Sequence, residues 1–234
     1  MKPSQNSAAE EDISRWESFK SNARTIGGAI LLAIFIRVVL FEAFEIDGPS
    51  MQPTLLDGDR VVVEKVAFGL FLPFQHEATL NWGMPSPGDI VIVNSPMDGV
   101  DIVKRVIGVP GDTIEVREHI VYRNGEALPQ RDLGPCAEAA EKDVDESCHI
   151  FEETLDGYTY RTSRGAYRGD PEQEPITLGP GEVFVMGDHR DSSNDSRRIG
   201  PIPVTRVKGR ALVIYMSIDR TTGWRGSRAF SVVD

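Results

Sequence analysis

The chain has 234 residues, enough for one sizeable core or for a core with an inserted lobe. A net charge of −11 leaves no basic face for a phosphate backbone, so no nucleic-acid partner is expected. Acidity leaves a membrane partner open, because apolar insertion binds lipid without positive charge.

Residues 1–24 are polar with mixed charge and read as a tail. Thr25 to Phe41, TIGGAILLAIFIRVVLF, is apolar except for Arg37 near its far end. As a helix rising about 1.5 Å per residue this run would be about 26 Å long, just enough to cross a bilayer. Arg37 could snorkel to the interface. A core helix would show a polar face, which is lacking here. A cleaved signal peptide would need a small-x-small site, and Phe41-Glu42-Ala43 has a bulky residue where a small one is wanted. The run therefore reads as an uncleaved signal-anchor over 25–41. Arg15, Lys20 and Arg24 precede it, and no Lys or Arg lies between Arg37 and Arg60. This places the tail in the cytoplasm and the C-terminal part outside.

A few residues further on, Ile46 to Leu55 reads IDGPSMQPTL, and its Gly48-Pro49 turn presents Ser50. Whatever Ser50 does, this spacing keeps it close to a bilayer. Asp59–Val66 and Asp89–Asn94 are valine- and isoleucine-rich and read as strands. Between them Phe68, Leu70, Phe71, Leu72, Phe74 and Trp82 fall in a stretch too broken by Gly and Pro for a helix. It is either a loop folded onto the core or an apolar rim that dips into lipid. Val100–Val109 is a further strand, with Ile102, Lys104 and Val106 on one face and Val103, Arg105 and Ile107 on the other. Both faces are apolar, so periodicity does not say which cation is buried. Thr113–Tyr122 reads as one strand, followed by a hairpin signal at Asn124-Gly125.

Residues 126–178 turn acidic and polar and read as an inserted lobe, with a strand pair around Tyr158–Tyr167. The lobe holds both cysteines, Cys136 and Cys148. Outside the cytosol they would form a disulfide; otherwise they are two thiols in a loop. Gly181–Met186 returns to strand character, GDHRDSSNDSRRIGPIP is a long polar loop, and Val207–Ser217 closes the fold as a strand. The expected β core thus comprises 42–125 and 179–234.

A serine hydroxyl is a weak nucleophile and needs a base within hydrogen-bond reach. His76, His119 and His149 have no context that pairs them with Ser50, while His189 in GDHRD is a candidate. The other candidate is Lys104. Burial against valine and isoleucine can lower a lysine pKa by the two or so units that a base near pH 8 requires, whereas arginine cannot usefully lose its proton. Four scattered histidines do not make a zinc site, and no metal or cofactor is expected.

Ser50 in GPSMQPTL, Lys104 in KRVIGVPGD and the loop GDHRDSSNDSR resemble, in order and spacing, three motifs of the type I signal peptidases. Gly58-Asp59 with Lys65 resembles a fourth. The resemblance covers roughly residues 30–125 and 180–215. It implies a membrane-anchored Ser/Lys endopeptidase of the bacterial inner membrane, single-pass, with its catalytic domain on the outer face. Its partners would be membrane lipid and exported precursor proteins, whose signal peptides it would cut after small-x-small sites. It also implies a mainly β fold of twisted antiparallel sheets with a smaller inserted β lobe, preceded by one transmembrane helix. Carried over by position, Ser50 would be the nucleophile and Lys104 the general base. Ser193 would orient the lysine amine, and Asp195 with Arg197 would form a supporting ion pair. Some members carry a serine two residues before the nucleophile as an oxyanion donor. Here that position is Gly48, so a second donor must come from elsewhere.

Three other readings compete. A self-cleaving repressor-type peptidase shares the dyad but would carry a DNA-binding or soluble N-terminus. A metallophosphoesterase, suggested by GDHRD, would need more His and Asp ligands. A membrane-anchored binding module without activity would survive loss of both Ser50 and Lys104.

Overall fold

The structure, a computed structural model, describes residues 22–71, 75–136, 148–165 and 172–233. The described residues fall into two compact units that divide between Phe41 and Glu42. Most of the expected tail lies outside them.

In the first unit an α-helix covers 22–35 and continues as a π-helical turn, Ile36–Leu40, before the chain becomes extended at Phe41. The β-branched Val39 and the aromatic residues Phe41 and Phe44 favour that change to strand. The predicted helix over 25–41 is thus present in part. Among the described residues no helix is long and apolar enough to cross a membrane. The side chains of Ile26, Ile30, Leu31, Leu32, Ile34 and Phe35 are all exposed.

The second unit is mainly β. A nine-stranded sheet runs in the order Phe41–Glu45, Asp59–Glu64, Val207–Asp219, Ile90–Asn94, Asp101–Gly108, Glu182–Met186, Ile202–Pro203. Gly223–Trp224 and Ser231–Val232 also pair with the long Val207–Asp219 strand. That strand is irregular at three places, between Val207 and Gly209, Ala211 and Val213, and Ile214 and Met216. Such bulges increase local twist and let one strand serve two neighbours. The valine and isoleucine runs lie where the sequence predicts strands, because period-two alternation feeds two cores. Ile90 and Ile92 join Ile46, Met51, Leu55, Val61 and Val63 beneath the serine turn. Val91 and Val93 face the other way, toward Val106, Val185 and Ile202.

Two smaller sheets flank this core. Thr113–Arg117 and Ile120–Arg123 are separate strands rather than one, because Glu118 and His119 turn the chain at φ 49° and 65°. Asn124 and Gly125, at φ 56° and 83°, make the expected tight turn into Glu126–Ala127. Gln173–Thr177, from the end of the expected lobe, pairs with Thr113–Arg117. The third sheet joins Gln130–Pro135, His149–Leu155 and Tyr158–Arg164. Its hairpin turns at Asp156-Gly157 and starts nine residues earlier than the predicted Tyr158. Cys136 and Cys148 form a disulfide at the foot of this hairpin, with Cα atoms 5.3 Å apart. A fourth, two-stranded sheet pairs Gly69–Leu70 with Leu80–Asn81. In that stretch Phe68 is buried while Leu80 and Trp82 are exposed, so it supplies both a core plug and an apolar surface. Phe74 and Leu72 lie outside the described residues.

Candidate active site

Ser50 sits in a turn whose shape is set locally. Gly48 adopts φ 92°, a left-handed conformation that favours glycine, and its N–H donates to Asp57 Oδ1 at 3.0 Å. The chain then tightens, with Gln52 N–H donating to Pro49 O at 3.0 Å and Leu55 N–H to Met51 O at 2.9 Å. Met51 and Leu55 are almost fully buried and pin the turn to the core. Distant segments hold it as well. Ser163 Oγ, from the His149–Arg164 hairpin, donates to Gln52 O at 3.0 Å, and His189 N–H donates to Ser50 O at 3.1 Å. Thr54 Oγ1 donates to Asp188 Oδ2.

Lys104 reaches this turn from the middle of the Asp101–Gly108 strand. Its Nζ lies 2.8 Å from Ser50 Oγ and 2.7 Å from Val103 O. The residue is 2% exposed. Burial strips water from the ammonium and brings its pKa down to about 8, against the pull of the Asp195 and Asp188 carboxylates; the Arg197 charge pushes the same way as burial. An amine with that pKa is partly neutral near pH 8 and can accept the Ser50 proton. The neighbouring cation is equally buried but differently employed. Arg105 Nε and one terminal nitrogen donate to the two Asp188 oxygens at 2.9 and 2.8 Å, and its other terminal nitrogen donates to Gly88 O at 2.9 Å. This pairing raises the Arg105 pKa despite the burial, so it stays charged. Both faces of the strand are thus buried, one cation meeting a hydroxyl and the other a carboxylate.

The GDHRD-containing segment, predicted as a polar loop, is largely interior. Asp188, His189, Arg190, Ser193, Asp195 and Arg197 are all buried. It forms a short turn, Arg190–Ser192, and a one-turn helix, Ser196–Ile199, capped by Asp195. Asp195 receives two hydrogen bonds from the Arg197 side chain, at 2.9 and 2.8 Å, and one from Gly187 N–H at 2.9 Å. Burial would raise this carboxyl, but these donors and the Arg197 charge hold it below the usual carboxylate range. Ser193 lies alongside, and its side chain adds to the groups that hold the Asp195 carboxyl down. Gly187 makes the close approach possible. A Cβ there would stand 2.3 Å from Ser193 Oγ and 2.4 Å from Ser50 O. The His189 ring is pushed toward its neutral form by burial, against Asp191, and its Nδ1 makes no hydrogen bond among the described residues. Lys104, not His189, therefore meets the Ser50 hydroxyl.

Several residues at the site carry no reading of their own in the sequence: Gly187, Asp188, Thr54, Ser163 and Arg190. Gly187, Asp188 and Arg190 belong to GDHRD, whose charge density was the available signal. Thr54 and Ser163 gave none. Among the described residues, no group of three or more His, Cys, Asp or Glu is placed to hold a metal ion.

The family model for "Signal peptidase, peptidase S26" matches residues 19–216. Signal peptidase I of Pseudomonas aeruginosa is 32% identical over 202 residues, covering 80% of this chain and 69% of that protein. Signal peptidase I T of Bacillus subtilis is 33% identical over 189 residues, 80% of each chain. A crystal structure of a signal peptidase I from Enterococcus faecalis is 29% identical, spans 55% of this chain and 97% of that one, and superposes with a TM-score of 0.35, too low to bear on the fold. On the family match and the two curated relatives, the chain belongs to the signal peptidases of family S26 and is a serine peptidase.

Proposed function

We propose that the chain is a membrane-bound endopeptidase that removes signal peptides from exported precursor proteins, cutting after small-x-small sites with a Ser50/Lys104 dyad. The observation that carries this reading is the 2.8 Å approach of a buried lysine amine to a serine hydroxyl, in a chain of this family.

Neutral Lys104 takes the Ser50 proton as Oγ attacks the scissile carbonyl carbon. The resulting oxyanion lies beside the Ser50 N–H, which donates to no atom of the described residues and is free to stabilise it. Collapse breaks the C–N bond, and the Lys104 ammonium gives its proton to the leaving amine. An acyl group remains on Ser50, and a water deprotonated by Lys104 then releases it. A neutral lysine can donate to Val103 O and one further acceptor while accepting from Ser50. In this reading the Ser193 hydroxyl, which lies beside Asp195, supplies that acceptor. Asp195 and Arg197 fix the charge facing the amine rather than reacting.

The substrate would add as an extended strand beside the serine turn and the Lys104 strand, its small alternate side chains entering shallow pockets. The exposed apolar side chains of the helix over 22–35 support a membrane anchor in the expected 25–41 segment, with residues 1–24 cytoplasmic. The β core, 42–125 with 179–234, would then work on the outer face of the bacterial inner membrane, with 126–178 as its inserted lobe. The disulfide accords with an oxidising compartment.

The test is cleavage of a model exported precursor by the full chain in detergent with lipid. Cutting after a small-x-small site that disappears in both Ser50→Ala and Lys104→Ala is expected. Activity that survives Lys104→Ala but is lost in His189→Ala would transfer the base to His189 and refute the dyad.

A further inference from the structure

The inserted hairpin does more than cover the core. Glu153, in the middle of the His149–Leu155 strand, is wholly buried, and its carboxylate receives both terminal nitrogens of Arg190, one at 3.0 Å. Gln130 Nε2 donates to it at 2.8 Å, and the Tyr160 hydroxyl donates to its other oxygen. Four donors converge on one carboxylate far from solvent, and the Arg190 charge keeps it ionised. Holding a charge pair this far from solvent carries a desolvation cost that an apolar contact would avoid.

The next link leads to the reaction centre. Arg190 O accepts from Arg197 at 2.7 Å, and Arg197 in turn grips Asp195. Asp195 and Asp188 are the carboxylates whose charges act on Lys104, and Arg197 is the cation that opposes them. Asp188 is itself held by Arg105, whose guanidinium stacks 4.2 Å from the Tyr160 ring centroid. The same hairpin touches the nucleophile turn separately through Ser163 and Gln52, and Ser163 N–H donates to Asp188 O at 2.9 Å.

We propose that Glu153 is a positioning residue: through Arg190 and its carbonyl it seats Arg197 on Asp195, and so sets the charge that faces the Lys104 amine. The proposal rests on the Ser50/Lys104 reading. When Glu153 no longer holds Arg190, Arg197 is held less firmly at the Arg190 carbonyl and neutralises Asp195 less completely. Lys104 then keeps its proton to higher pH.

The test compares the full chain with Glu153→Asp and with the paired variant Glu153→Leu/Arg190→Met, recording thermal midpoint and kcat/KM against pH. The paired variant removes both charges, so neither is left buried alone. Both variants are expected to show a kcat about tenfold lower with KM little changed, and an acid limb moved up by about half a pH unit or more. The paired variant should do so with its midpoint close to that of the parent. A purely structural pair would give activity that follows the midpoint and a limb that stays in place, which would overturn the proposal. If one variant does not fold, the other decides. Ser50→Ala and Lys104→Ala run beside them separate the two ideas. If either still cleaves, the dyad reading falls. If both are dead and the limb is unmoved in the Glu153 variants, only the positioning role falls.

Discussion

Arg105→Met is the sharpest test of how the site is held. Arg105 and Asp188 have side chains 0% and 1% exposed, joined through both carboxylate oxygens. The variant leaves the Asp188 carboxylate in the interior, with Thr54 Oγ1 still donating to it, and frees Gly88 O of its arginine donor. Removing one partner of a buried ion pair costs about 3–5 kcal/mol, because the remaining charge stays desolvated. At about 2–4 °C per kcal/mol for a chain of this length, the midpoint should fall by roughly 6–20 °C. Arg105→Met combined with Asp188→Leu should recover most of that loss, giving a coupling of about 2 kcal/mol or more in a double-mutant cycle. Circular dichroism on the detergent-solubilised full chain, by heat and by urea, reads both. A single variant within about 1 kcal/mol of the parent would mean the pair is solvated and the packing argument is wrong.

Further outcomes follow from the same geometry. Lys104 has its pKa lowered from 10.5 to about 8, so between those values the unfolded chain binds more protons than the folded one. Folded stability should therefore rise with pH across that window, and below pH 8 the full penalty of about 3 kcal/mol applies. Lys104→Met should be inactive yet more stable near pH 7, by about 2 kcal/mol once the lost bond to Val103 O is allowed for, and its denaturation curve should lose that slope; a destabilised variant would contradict this. Gly187→Ala would press a methyl against Ser193 Oγ and Ser50 O, and should lower kcat about a hundredfold with circular dichroism unchanged, as read by steady-state cleavage. Reducing Cys136–Cys148, twelve residues apart in sequence, should lower stability by about 2–3 kcal/mol in urea titrations run with and without reductant.

The strands are legible because alternation at Val61 and Val63, and short runs rich in apolar β-branched residues at Ile90 to Val93 and Val103 to Ile107, carry the core directly in the sequence. Less was visible where position depends on partners far along the chain. The GDHRD segment reads as polar and surface-exposed until Glu153, Arg105 and Thr54 supply the groups that neutralise it. Those partners lie in three different stretches, and no local pattern connects them. The strand pair expected around Tyr158–Tyr167 begins too late because Asp156-Gly157, a turn signal, sits in an acidic stretch that masks it. Thr113–Tyr122 read as one strand because nothing in Glu118-His119 announces two consecutive residues at positive φ. Lys104 could be singled out from Arg105 only by chemistry, since burial treats them alike and their partners differ.

If Lys104 is the base, its amine must lose its proton well below the range of an ordinary lysine. With carbon-13 at the lysine ε carbons, the full chain in detergent can be followed by NMR from pH 6 to 11, the Lys104 signal being the one missing in Lys104→Met. A midpoint near pH 8 is expected, well apart from the other lysines. A midpoint above about 10, with the surface lysines, would leave the Ser50 hydroxyl without a base at working pH and would contradict the dyad.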